Sequence, residues 1–187
     1  MKVDHTDLPG VLILEPHVFQ DGRGFFYEAF NAGTFARLAT EGVPTRFLQD
    51  THSRSTRNVL RGLHYQLRRP QGKLITCVRG TIFDVAVDIR VGSPTFGRWA
   101  AVTLDGDAPR YLWIPEGFAH GFCTLSPVAD VLYKCTDLYA ADDDHGVLWS
   151  DETLGIRWPV TDPITSPKDR GYPALNSGRT DLPVYVA

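Results

Sequence analysis

Short apolar segments broken by clusters of Gly, Pro and Asp follow one another along the chain. Val11–Phe19, Gly24–Phe30, Asn58–Leu67, Lys73–Arg90, Arg98–Asp105, Arg110–Pro115, His120–Leu125 and Val128–Tyr139 are rich in β-branched and aromatic residues, the composition of strands. Within Thr81–Arg90 the alternation is explicit. Phe83, Val85, Val87 and Ile89 share one face, and Asp84, Asp88 and Arg90 share the other. This parity predicts a sheet with one packed face and with Asp84 and Asp88 on a solvated one. Only Ala32–Ala39 reads as helix, with Asn31 or Thr34 as its cap. Frequent turns and almost no helix predict an all-β fold, an antiparallel sandwich or barrel. A jelly roll is the natural choice because it pairs most of its edges.

No repeat, low-complexity tract or linker divides the 187 residues, so one domain over 1–187 is expected, with a core over about 11–170. The segment from Pro163 is rich in Pro, Gly and Ser and is expected to wrap the surface, its end (171–187) wrapping or mobile. With 43% hydrophobic and 22% charged residues the chain has an ordinary globular composition. A net charge of −3 gives no reason to expect a nucleic-acid or anionic-membrane partner. No apolar run approaches the roughly 20 residues that span a bilayer, and MKVDHTDLPG lacks the apolar region of a secretory signal. Cys77, Cys123 and Cys135 are odd in number and lack CxxC spacing, which predicts buried, reduced thiols in a cytoplasmic protein.

Lysine is scarce, four residues against fifteen arginines, so an interior lysine stands out. LRGLHYQLRRPQGKL (Leu60–Leu74) places Arg61, His64 and Lys73 on two neighbouring strands. PEGFAHGF supplies His120, and VLYKCTDLY supplies Tyr133 and Tyr139, which share a face if their strand is unbroken. Arg61 and His64 have opposite parity, so a bulge near Gly62 is needed for both to serve one site. Taken singly these residues have bland readings: a hydrogen-bonded structural histidine, a core or rim tyrosine, and Arg98, Arg110 and Arg157 on the surface.

PEGFAH resembles the second cupin motif, whose histidine binds metal, but the first motif is degraded to His64-Tyr65-Gln66 with Lys73 near the place of the acid. An amide and an ammonium are poor ligands for a divalent cation, so a barrel without a metal is expected. In such a lumen His removes a proton from carbon beside a carbonyl, an ammonium stabilises the oxyanion, and Tyr returns a proton to the other face. That sequence of steps is epimerisation α to a ketone. Arginines at the mouth would suit a phosphorylated substrate.

RGFFYEAF, QDTHSRS, LRGLHYQ, QGKL, FDVAVDIRVGSPTFGRW, LWIPEGFAHGF, YKCTDLY, GVLWSDETLGIRWP and SPKD together resemble the dTDP-4-dehydrorhamnose 3,5-epimerase family, in the family's order, over about Val11–Arg170. The resemblance implies a cupin-like jelly roll, a homodimer, no cofactor, and a dTDP-4-keto-6-deoxyhexose substrate on the way to dTDP-L-rhamnose. It implies His64 as proton acceptor, Asp169 as its acidic partner, Lys73 facing the C4 oxygen, and Tyr133 as proton donor. Tyr139 falls where an aromatic ring stacks on thymine. Arg23, Glu28, Gln49, Arg61, His120 and Lys168 fall where the family contacts the nucleotide sugar or its diphosphate, and Asp144 where it has a substrate-contacting Glu. One departure is Thr51, in a position where the family usually has Asn and contacts the substrate. The alternatives are an epimerase of one centre only, a metal-dependent cupin enzyme, and a non-catalytic nucleotide-sugar binder. The apolar strand Val11–Phe19 is expected to be an exposed edge, protected by a second chain.

Overall fold

Residues 1–176 and 178–186 are described by a computed structural model; Ser177 and Ala187, in the expected wrapping tail, lie outside the described residues. The strands are β1 (Lys2–His5), β2 (Leu12–Glu15), β3 (Phe19–Asp21), β4 (Gly24–Phe26), β5 (Gln49–Thr56), β6 (Leu60–Gln66) and β7 (Lys73–Arg79). They continue with β8 (Thr81–Asp88), β9 (Trp99–Asp105), β10 (Tyr111–Ile114), β11 (Phe118–Thr124), β12 (Val128–Cys135) and β13 (Asp144–Gly146). Two short helices, α1 (Ala32–Leu38) and α2 (Pro167–Gly171), accompany them.

A six-stranded sheet in the order β1-β2-β10-β7-β12-β5 and a five-stranded sheet in the order β13-β6-β11-β8-β9 make up the β structure, with β3 and β4 as a separate hairpin. The named strands pair antiparallel, as the expected cupin-like jelly roll requires. Ile75, Ile82, Ala86, Leu112, Phe122 and Val131 pack together between the sheets. The other face of the five-stranded sheet is covered too: Leu63, Val85, Val87 and Ile89 pack against Leu154, Leu175 and Leu182 of the C-terminal segment. α1 covers the far side of the larger sheet, with Phe35 and Leu38 on Leu12, Leu14 and Trp113. Asn31 caps α1, its side chain accepting from Thr34 N at 3.1 Å.

Burial on both faces overturns the expected solvated position of Asp84 and Asp88. Both are fully buried, on the parity that faces the other sheet. Asp84 is bonded to His120, while Asp88 accepts from Arg90, Ser93 and Thr95, so neither carboxylate is left unpaired. Arg98 and Arg157 are exposed as expected, but Arg110 is half-buried with its guanidinium on Thr103 O.

Three strand boundaries matter for the site. β5 (QDTHSRST) has no apolar alternation, yet it pairs with β12 from Gln49↔Cys135 to Thr56↔Val128. Its polar residues suit an edge strand whose inward positions meet a wet cavity rather than a core. β12 ends at Cys135, so Tyr139 lies on the following loop and not on an unbroken strand with Tyr133. β2 is not an edge: Lys2–His5 folds back as β1 and pairs with it, which removes the exposed-edge argument for a second chain. The three cysteines are free and buried, and burial pushes the Cys77 and Cys123 thiols up to about 11. Among the described residues no helix is long and apolar enough to cross a membrane.

Candidate active site

Between the two sheets lies an open cavity of about 380 Å3. β5 lines it with Gln49, Thr51 and Ser53 at the spacing of two that one strand face requires. β6 adds Arg61 and His64, and β7 adds Lys73. From β11 comes His120, from β12 Tyr133, and from the loop and β13 come Tyr139 and Asp144.

Arg61 and His64 reach the same cavity because β6 bulges. His64 pairs with His120 and Arg61 with Phe122, so three steps on β6 match two on β11. The extra residue restores the parity that a regular strand denies. Gly62 makes this possible with φ of +125°, and a Cβ there would stand 2.5 Å from Gly121 Cα.

His64 Nε2 sits 2.6 Å from Asp169 Oδ1. Asp169 lies on α2, where Ser166 caps the helix by accepting Asp169 N at 3.0 Å. Burial pushes the Asp169 carboxyl up, but hydrogen bonds with His64 and Ser166 outweigh it and hold the group below its usual range. With Nε2 committed to a carboxylate, Nδ1 is the ring nitrogen left to accept a proton. The Tyr172 ring stands nearly edge-on to His64, centroids 5.7 Å apart.

Lys73 is buried, and desolvation draws its ammonium down against the carboxylates of Asp144 and Asp84. Asp84 Oδ1 is 2.9 Å from His120 Nε2, while its Oδ2 is buried without a partner. Burial pushes this carboxyl up. Tyr133 is half-buried, and desolvation raises its phenol, so it is protonated at neutral pH. At the rim, Asp144 Oδ2 accepts from Tyr139 Oη at 2.8 Å and from Lys168 Nζ at 2.5 Å. Arg61 Nε donates to Ser55 Oγ at 3.0 Å, which fixes the guanidinium against β5 at the cavity wall.

Nine of the thirteen residues singled out in the sequence line this cavity: Gln49, Thr51, Arg61, His64, Lys73, His120, Tyr133, Tyr139 and Asp144. Asp169 and Lys168 stand behind them, each through one hydrogen bond. Arg23 and Glu28 do not reach it within one chain. Arg23 is bound to Asp21 in the β3–β4 hairpin, Nη2 to Oδ2 at 2.6 Å, and Glu28 accepts from Asn31 Nδ2 at 2.9 Å. The hairpin forms no ladder with either sheet and leaves Phe19, Phe25 and Phe26 exposed. Asp84, like Asp88, is an interior residue that the alternation pattern misassigned. Ser53, Gln71 and Phe122 also line the cavity, and Ser53 was legible only as the next step of two after Gln49 and Thr51.

The donor set does not suit a metal. His64 and His120 each direct Nε2 at a carboxylate, and Gln66 spends its amide on Arg69 O, Leu138 O and Ala140 N. The set suits proton transfer instead: an imidazole backed by a carboxylate on one sheet, a phenol on the other, and a buried ammonium on the wall.

Comparison with known proteins agrees with this chemistry. The family model described as dTDP-4-dehydrorhamnose 3,5-epimerase matches residues 5–177. A dTDP-4-dehydrorhamnose 3,5-epimerase of Shigella flexneri is 54% identical over 170 residues, 90% of this chain and 93% of that protein. The crystal structure of a dTDP-6-deoxy-D-glucose-3,5-epimerase from Legionella pneumophila Philadelphia 1, in complex with dTDP-4-keto-L-rhamnose, superposes with a TM-score of 0.93 at 46% identity, covering 100% of this chain and 99% of that one. A 3'-monoepimerase from Streptomyces bikiniensis in complex with dTDP-quinovose gives a TM-score of 0.88 at 34% identity, covering 96% and 92%. The chain belongs to the dTDP-4-dehydrorhamnose 3,5-epimerase family of isomerases.

Proposed function

We propose that this protein converts dTDP-4-dehydro-6-deoxy-D-glucose into dTDP-4-dehydro-L-rhamnose by inverting C3 and C5 without a cofactor. His64 Nδ1 takes the proton from a carbon beside the C4 ketone, and the C–H electrons pass to the C4 oxygen. Lys73 stabilises that oxyanion by hydrogen bond and charge. Tyr133 then gives its proton to the opposite face of the carbon, and the ketone re-forms. Asp169 orients the His64 ring and stabilises its charged form, the role an acid plays in hydrolase triads. Tyr139 stacks on thymine, and Arg61, His120 and Lys168 hold the sugar and diphosphate with Gln49 and Asp144.

The observation that supports this reading most is the entry of His64 and Tyr133 into one cavity from opposite sheets, beside a buried lysine. Proton removal and return on opposite faces of a carbon need that disposition. Arg23 and Glu28 complete the site from a second copy in this proposal, the exposed Phe19, Phe25 and Phe26 of the hairpin being the surface that seats them in a homodimer. Three buried free thiols suit a reducing, cytoplasmic setting.

The test is incubation with the 4-keto-6-deoxy sugar nucleotide in deuterated water. Deuterium at both C3 and C5 of an inverted product is expected, and none with His64→Ala. Exchange at the wild-type rate in that variant would remove His64 as the base. Inversion at a single carbon would favour the second reading, an epimerase of one centre, which the shared fold of the Streptomyces monoepimerase supports.

A further inference from the structure

Thr51 stands directly across the β5–β12 ladder from Tyr133, and both side chains line the cavity. Directly opposed residues of an antiparallel pair share a face, with Cβ atoms about 4.5–5.5 Å apart. The Thr51 hydroxyl is constrained on one side, where Gln49 Nε2 donates to its oxygen at 3.0 Å. That bond occupies an acceptor lone pair and leaves the hydroxyl proton to be given elsewhere. Gln49 is itself oriented, since its Oε1 accepts the Tyr139 backbone N–H at 2.8 Å. The amide therefore presents oxygen to Tyr139 and nitrogen to Thr51. Gln49 thus donates to Thr51, whose own hydroxyl proton is left to give, and Tyr133 stands across the ladder on the same cavity face.

We propose that Thr51 is a positioning residue which aims the Tyr133 hydroxyl and stabilises the phenolate left after its proton has gone, so that it governs how completely an abstracted proton is replaced on the opposite face. The inference rests on the roles proposed above for His64 and Tyr133. In the step itself the Tyr133 O–H bond breaks and its proton forms the new C–H bond, while the electron pair stays on the phenol oxygen. Thr51 donates a hydrogen bond to that oxygen without losing its own proton. The cycle closes when the phenolate takes a proton from water in the open cavity and the His64 imidazolium releases one.

The surroundings of Tyr133 agree. Burial and Cys135 on its own strand push the phenol up, while the nearby Thr51 hydroxyl and the Arg61 charge from β6 draw it down. Asp144 from β13 opposes them, and the β7 neighbour, Ile75, is neutral. A change at Thr51 alone leaves all these other groups in place.

Thr51→Val keeps the shape and removes the hydroxyl; Thr51→Ser keeps the hydroxyl. In deuterated water Thr51→Val is expected to retain exchange into recovered substrate, because His64 still works, while inverted product falls about tenfold or more with KM unchanged. Thr51→Ser should rescue product formation. Independently of activity, the Tyr133 resonance in protein labelled at tyrosine 13Cζ, assigned with Tyr133→Phe, should begin to titrate at higher pH in Thr51→Val. It should stay near its wild-type position in Thr51→Ser. Wild-type product formation in Thr51→Val, a rise in KM with kcat intact, or an unmoved Tyr133 resonance would each overturn the proposal. If the wild type itself incorporates no deuterium, the epimerase reading is lost, and the Tyr133 resonance still decides whether Thr51 acts on the phenol.

Discussion

The His64 ring and the Asp169 carboxylate meet at 2.6 Å across 105 residues of sequence, and the meeting depends on a five-residue helix capped by Ser166. A carboxylate in that place holds one ring nitrogen as donor and leaves the other as base. Asp169→Asn should keep the shape and lose the charge, lowering the inversion rate on the order of a hundredfold. Since the native Asp169 carboxyl titrates below its ordinary value of 3.8, its contribution to stability is present above that pH. The contribution is lost as the pH falls through the lower native value. Melting temperatures compared at pH 6 and pH 3 should therefore fall less for Asp169→Asn than for the wild type.

Lys73→Met replaces a buried ammonium by a neutral chain of similar length. If Lys73 stabilises the enolate oxyanion, both deuterium exchange and inversion should fall together, by about 10²–10³-fold, because each requires the enolate to form. This outcome is unlike that of Tyr133→Phe, in which exchange should persist while inversion fails. Mass spectrometry of recovered sugar nucleotide separates the two. Exchange that survives in Lys73→Met would assign the oxyanion to another group.

Gly146 pairs with His64 in the β13–β6 ladder, and a Cβ on it would lie 2.4 Å from the Tyr172 ring, the same ring that stands against His64. Gly146→Ala forces Tyr172 to move. Overpacking of this kind costs about 1–3 kcal/mol, which denaturant unfolding would register as a lower midpoint. Inversion should weaken as well, since His64 loses one wall of its position. A midpoint and a rate both equal to wild type would show that Tyr172 moves at no cost.

Phe26 is 67% exposed and pairs with Phe19 at the open end of the hairpin whose turn holds Arg23 away from its own cavity. In a homodimer completed by that hairpin, Phe26→Asp should halve the mass seen by sedimentation at micromolar concentration and reduce activity. Arg23→Ala should leave the mass unchanged and raise KM more than it lowers kcat. Full activity of a single-chain species would place Arg23 outside the site.

Much of the architecture was readable as pattern. The alternation in Thr81–Arg90 located both faces of β8, and of the two caps the sequence offered, Asn31 and Thr34, the structure uses Asn31. The odd parity of Arg61 and His64 demanded a bulge at Gly62, and the register shift against β11 provides it. Elsewhere pattern misled. β5 was invisible because its inward residues face a polar cavity, so no apolar alternation marks it. Asp84 and Asp88 looked solvated because period-two parity tells which residues share a face, not what covers that face.

Local order is a matter of backbone sterics and of which side chains avoid water, and neighbouring residues suffice to express it. The amino-acid order alone therefore determined the all-β class, most strand cores, the glycine that permits the bulge, and the residue types able to move a proton. Tertiary structure decided that α2 brings Asp169 to His64, that both faces of β8 are covered, that β1 shields β2, and that Arg23 stays outside its own cavity. Each of these depends on surfaces supplied by segments distant in sequence, whose burial and pairing energies exist only once the chain has closed on itself.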